Sequence, residues 1–208
     1  MAATQPPAAS PPRDSTLRHV VTATLYTIVS VLALGVVYPV VVWAIGSALF
    51  PHQAGGSLIV AGGAVIGSEL VGQKFTRAGY FHGRPSAAGN GYDPTQTGGT
   101  NLGPTSKKLI VATKSAIAAL RKENPDATGP VPMDLVTSSA SGIDPDVSPE
   151  GAYYQARRVA MARGLRVDAV RALVAAHVTP RQFGLFGEPR VNVLALNRAL
   201  DALAGPAK

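Results

Sequence analysis

Between Val20 and Phe50 the chain carries no Asp, Glu, Lys, Arg or His, a run of 31 residues. As a helix this run extends about 45 Å, against roughly 30 Å of bilayer hydrocarbon. One spanning helix fits, and two do not, because no polar turn divides the run. A cleaved signal peptide would carry an apolar region of roughly 7–15 residues before a small-residue cleavage site. The length therefore argues for a retained anchor over 19–50. Pro39 is expected to kink it, and Gly35 and Gly46 are candidate close-approach points against partner helices.

Flanking charge sets the expected orientation. Arg13 and Arg18 precede the apolar run, whereas the first Lys or Arg after Phe50 is Lys74, beyond the window that counts. The N-terminus is expected in the cytoplasm and the rest outside, with the chain crossing the plasma membrane once. Residues 1–18 open with the Pro- and Ala-rich MAATQPPAASPPRDS and read as a disordered cytoplasmic tail. The absence of cysteine excludes a disulfide framework and thiolate-ligated metals. The net charge of +7 is spread along the chain without a block of like charges or aromatic interleaving. Nucleic acid is therefore not an expected partner; the lipid bilayer is.

Residues 51–208 read as an extracytoplasmic α+β domain, so the expected fold is a single N-terminal transmembrane helix plus a mixed α+β soluble domain. Within 51–104, SLIVAGG and AVIGSELVGQKF resemble short strands bounded by glycines. YFHGRPSAAGNGYDPTQTGGTNLGP comes next with almost no periodicity, and its Tyr80, Phe81 and Tyr92 favour an ordered surface over disorder. Residues 105–204 turn mainly helical. Leu109, Ala112, Ala116 and Leu120 share a helical spacing, with Thr105 or Ser106 as cap. Ser148-Pro149 opens a second helix that Gly164 stops. Asp168 lies near the cap of a third, and a fourth places Val193, Leu196, Leu200 and Leu203 on one face.

GGTNLGPTSKK, residues 98–108, has the glycine spacing of a phosphate-binding loop, but Pro104 stands where that loop requires Lys and offers no backbone N–H there. Gly103, Thr105 and Ser106 remain possible anion or nucleotide contacts at a helix N-terminus, with simple capping as the alternative. Asp144 and Asp146 suit turn and cap duty better than calcium. The four histidines lack metal-ligand spacing. No catalytic set emerges, and no metal or cofactor is expected from the residues themselves. A membrane-anchored hydrolase would have to use His82 as base beside one of the serines; an envelope-binding module would use the same loops.

YFHGRPSA (80–87), GGTNLGPTS (98–106), VPMDLVTSSASGIDPDVSPEGA (131–152), QARRVAMARGL (155–165) and GEPRVNVLALNRALD (187–201) occur in order behind a single N-terminal anchor. Together they resemble the C subunit of the Kdp-type bacterial potassium-transporting ATPase. That resemblance implies a non-catalytic assembly subunit of a high-affinity uptake complex. Its partners would be a channel-like potassium-selective A subunit, a P-type ATPase B subunit and a small F peptide. It also implies a catalytic chaperone that raises the B subunit's affinity for ATP, with ATP as the nucleotide concerned. Flanking charge puts the soluble domain on the side without ATP, so such an effect would have to travel as linkage between distant sites. Docking candidates are Tyr80, Phe81, Gly83, Arg84, Pro85, Ser86, Asn101 and Gly103, because aromatics and Arg concentrate at interface hot spots. Packing within their own domain is the alternative for each.

Overall fold

A computed structural model describes residues 15–205 and divides the chain into two units, one ending at Gly55 and the other beginning at Gly56. Of the tail expected over 1–18, residues 1–14 lie outside the described residues, while 16–18 already belong to the first helix. In the first unit Ser15 accepts the Arg18 amide and caps α1 (Thr16–Leu32). A π-turn spans Ala33–Val37, and α2 (Tyr38–Leu49) completes one apolar helical rod, Thr16–Leu49, long enough to cross a membrane. α3 (Pro51–Ala54) is a single turn.

The π-turn stands where Pro39 predicts a bend in the helix. Pro39 has no N–H for the Gly35 carbonyl, and its ring crowds that carbonyl. Widening the turn in front of it relieves the crowding, and Tyr38 donates to Ala33, five residues back. A π-turn absorbs about one extra residue and rotates the rest of the helix by up to roughly 100°. Gly35 lies inside this turn and Gly46 beyond it, so the two glycines do not share the face an uninterrupted helix would give them.

The second unit opens with an antiparallel hairpin, β1 (Leu58–Ala61) and β2 (Ala64–Ser68), turning on Gly62 and Gly63 at φ 58° and 80°. No further helix or strand intervenes before α4 (Lys107–Glu123). The half-buried stripe of α4 is Leu109, Thr113, Ala116, Ile117 and Leu120; Ala112, expected on it, points to solvent.

A 3₁₀ turn at Met133–Leu135 and β3 (Asp146–Val147) lead into α5 (Pro149–Arg163). Ser148 caps α5 by accepting the Gly151 amide, and Gly164 ends it at φ 64°. α6 (Val167–Ala176) is capped in position by Arg166, not Asp168, which sits in its first turn. β4 (Val178–Thr179) and β5 (Arg190–Asn192) join β3 in a three-stranded antiparallel sheet of order β3-β5-β4.

α7 (Val193–Ala204) continues directly from β5, capped by Asn192, whose side chain accepts the Ala195 amide. Its buried face holds Val193, Leu196, Asn197 and Leu200; Leu203 is 54% exposed and leaves the stripe. The core gathers Val159 of α5, Val170 and Val174 of α6, Val191 of β5, and Leu196 and Leu200 of α7 around Phe81. The soluble part is thus α+β, with helices and small sheets around one apolar centre.

Candidate functional site

The YFHGRP segment belongs to no strand, yet it passes through the interior at Phe81, so the amides and carbonyls there must be satisfied by side chains. Two buried amides do this. Asn197 accepts the Phe81 N–H at 2.8 Å and donates to the Phe81 carbonyl at 2.9 Å. Gln155 accepts the His82 N–H at 2.8 Å and donates to the His82 carbonyl at 3.0 Å. Each amide mimics a neighbouring strand for one residue.

Two arginines of α5 hold the carbonyls just before. Arg158 donates to Ala78 and Tyr80, and also to Asn124 Oδ1 at 3.1 Å and Gln155 Oε1 at 2.9 Å. Arg163 donates to Gly79 at 2.7 Å, to Asp201 Oδ1 at 2.6 Å and to the Gly205 carbonyl, and lies 4.6 Å from the Tyr80 ring centre. Tyr80 donates to Asp201 in turn, at 3.0 Å.

Phe81 is wholly buried, which corrects its place among the docking anchors. Its ring is the plug that carries the segment into the core. Arg84 pairs with Asp144 at 3.0 Å, while its Nε is buried without a partner. The other oxygen of Asp144 accepts the Asp146 amide at 3.0 Å, the turn duty expected of it. Ser86 donates to Gly142 and accepts the Ala88 and Tyr92 amides, closing a tight loop. Tyr92, at φ 60°, donates to the Arg84 carbonyl at 2.6 Å. Burial, and next the Asp144 charge, push its phenol up to about 12, so it remains a donor. Gly83 has no room for a Cβ, because Tyr92 Oη stands against it. Pro85, Asn101 and Gly103 are exposed.

Together with α4 these residues bound a groove of about 540 Å³, lined by Phe75, His82, Arg84, Tyr92, Leu120 and Glu123 among others. His82 Nε2 lies 3.1 Å from the Arg77 carbonyl, and its Nδ1 lies 3.6 Å from Glu123. Because that carbonyl can only accept, Nε2 carries the proton in the neutral ring. Burial first, then the Arg158 charge, lower its pKa. The ring faces a carbonyl and a carboxylate, and the Ser86 hydroxyl is committed elsewhere, so no serine–histidine pair forms here. Ser106 is the N-cap residue of α4 by position, but its side chain makes no capping bond, and Thr105 is exposed. The groove does not include Gly103, Thr105 or Ser106.

Sequence reasoning did not single out Gln155, Arg158, Arg163 or Asn197. The available signal was polarity inside an apolar stripe: Asn197 falls between Val193 and Leu200 on the inward face of α7.

Comparison with known proteins gives the same answer over nearly the whole chain. The family described as "K+-transporting ATPase, c chain" matches residues 20–202. The "Potassium-transporting ATPase KdpC subunit" of Acidobacterium capsulatum is 56% identical over 187 residues, covering 90% of this chain and 100% of that protein. Its counterpart in Nitratidesulfovibrio vulgaris is 59% identical over 81% of this chain and 86% of its own length. That of Myxococcus xanthus is 54% identical over 89% and 88%. A likeness this high and this continuous fixes the assignment: the chain belongs to the KdpC family.

Proposed function

We propose that this chain is an accessory subunit of an ATP-driven potassium uptake complex, assembling with a channel-like A subunit, a P-type ATPase B subunit and a small F peptide. The observation that carries the reading is the family match over residues 20–202. The apolar rod Thr16–Leu49 anchors the chain once in the inner membrane, N-terminus inside and soluble domain outside, as flanking charge favours. Ser30, Val31, Leu34 and Gly35 line one side of the rod and pack on partner helices, as small residues allow. The exposed rim around Pro85, Asn101 and Gly103 docks on a partner, with Tyr80, Arg84 and Ser86 supporting it from behind. The chain is not itself the catalyst, and its influence on ATP affinity reaches the B subunit as a coupling between sites.

Affinity purification of the tagged chain from membranes of potassium-starved cells should recover the A and B subunits with it. Recovery of the chain alone would overturn the assignment. Because the chain has no cysteine, single Cys substitutions at Lys114 or Ala118, exposed on α4 and away from that rim, should react with a membrane-impermeant maleimide on intact spheroplasts. Labelling only after lysis would reverse the orientation.

A further inference from the structure

The turn between β4 and β5 presents three large apolar side chains in four residues. Phe183, Leu185 and Phe186 are 88%, 69% and 62% exposed. Scattered single apolar residues on a surface need no explanation, whereas a contiguous set does. This set is held rigidly. Gln182 and Phe186 exchange both backbone hydrogen bonds, each at 2.9 Å, and the Gly184 amide donates to Arg181. Phe183 itself takes φ 55°, a conformation that favours glycine, with Gly184 and Gly187 at 73° and 75° beside it. Strain of this sort is retained where the surrounding structure imposes it and function uses it. The base continues through β5, whose Val191 is fully buried, into α7.

We propose that the Phe183–Phe186 turn is a preorganised docking knob that inserts into an apolar recess on another subunit of the ATPase complex. The inference rests on the assembly reading. Charge decides against lipid as the occupant. Loops that seat in a membrane surface carry basic residues free to meet anionic headgroups. Here Arg181 is paired with Glu188, and Arg190 with Asp146 at 3.0 Å, so the base of the knob is electrically closed. Area decides against two such knobs meeting on their own to join two copies of this chain. Three such side chains bury roughly 400–500 Å² even when wholly covered, short of the about 800 Å² per partner that a stable interface needs. A small, rigid, aromatic protrusion instead has the character of a hot spot inside a larger interface.

The test uses the full chain in its native membrane, with Phe183→Ser/Phe186→Ser as the variant and a photo-crosslinking benzoylphenylalanine at position 183 as the probe. The variant should retain its unfolding midpoint, since both side chains are already exposed. It should recover the other ATPase subunits at least about tenfold less well than the parent chain. The probe should crosslink to an identified subunit of the same complex. Equal recovery with the variant, or crosslinks confined to lipid or to a second copy, would overturn the knob and leave the assembly reading standing. Failure of the parent chain itself to recover any other subunit would defeat both.

Discussion

Asn197 sits on the inward face of α7, where the apolar stripe predicts a leucine, and there it completes the backbone of Phe81. Replacing it by Leu keeps the branching at Cγ and removes both partners, leaving a buried N–H and a buried carbonyl unsatisfied. At about 1–3 kcal/mol per orphaned group, Asn197→Leu should destabilise the chain by roughly 2–6 kcal/mol. Denaturant unfolding in detergent micelles would read this, and a change under about 1 kcal/mol would mean the clamp is not formed. His82 offers a second residue-level outcome. Its folded pKa lies below the ordinary 6.5, through burial and then Arg158, so the unfolded chain takes up the proton first as pH falls. Stability is therefore full above about pH 6.5 and declines as pH drops from there through the folded value, flattening beneath it. His82→Gln should remove that slope, which unfolding midpoints measured from about pH 8 to about pH 5 would reveal. The polar character of both residues is plain in the sequence. What they touch is not, because Phe81 and Asn197 lie 116 positions apart. The same blindness placed Phe81 at the surface: an aromatic in a loop suits an anchor outward or a plug inward, and only the long-range fold decides.

Helix starts and stops were the most legible elements because their signals are local. Ser148 caps α5 as its sequence predicts, and it gains a second function from Asp134, which accepts both the Ser148 hydroxyl at 3.0 Å and its amide at 2.7 Å. Ser148→Ala should cost about 1 kcal/mol for the cap and free one oxygen of Asp134 as well. Ser148→Asp, which can still accept the Gly151 amide, should place like charge against Asp134 and recover less than a cap alone would. Thermal unfolding of the two variants separates cap from charge. The strands of the three-stranded sheet were not legible, for a physical reason. Two or three residues cannot show an alternation, and Asp146 finds its partner at Asn192, across two helices. The π-turn is an intermediate case: Pro39 announces a disturbance, but whether the rod bends or widens depends on how the Gly35 carbonyl is accommodated.

At the scale of the molecule, the soluble unit is organised around a segment with no secondary structure. Helices α5 and α7 supply the side chains that fix residues 78–82. The loop is thus shaped by elements that come later in the chain by seventy residues or more. Family membership was legible because motifs in a fixed order are a property of the whole chain. The partner surface was less so, since several motif residues hold the loop from behind instead of facing outward. This arrangement has a consequence for exchange of amide hydrogens with solvent deuterium. Loop amides normally exchange early, through local opening. The Phe81 and His82 protons, each captured by a buried side-chain oxygen, cannot be released unless α5 and α7 separate from the core. They should therefore exchange with the slowest helical amides of α5, while those of exposed neighbours such as Ala87 are lost early. A peptide spanning 80–86 that exchanged at loop speed would show that the clamp opens on its own.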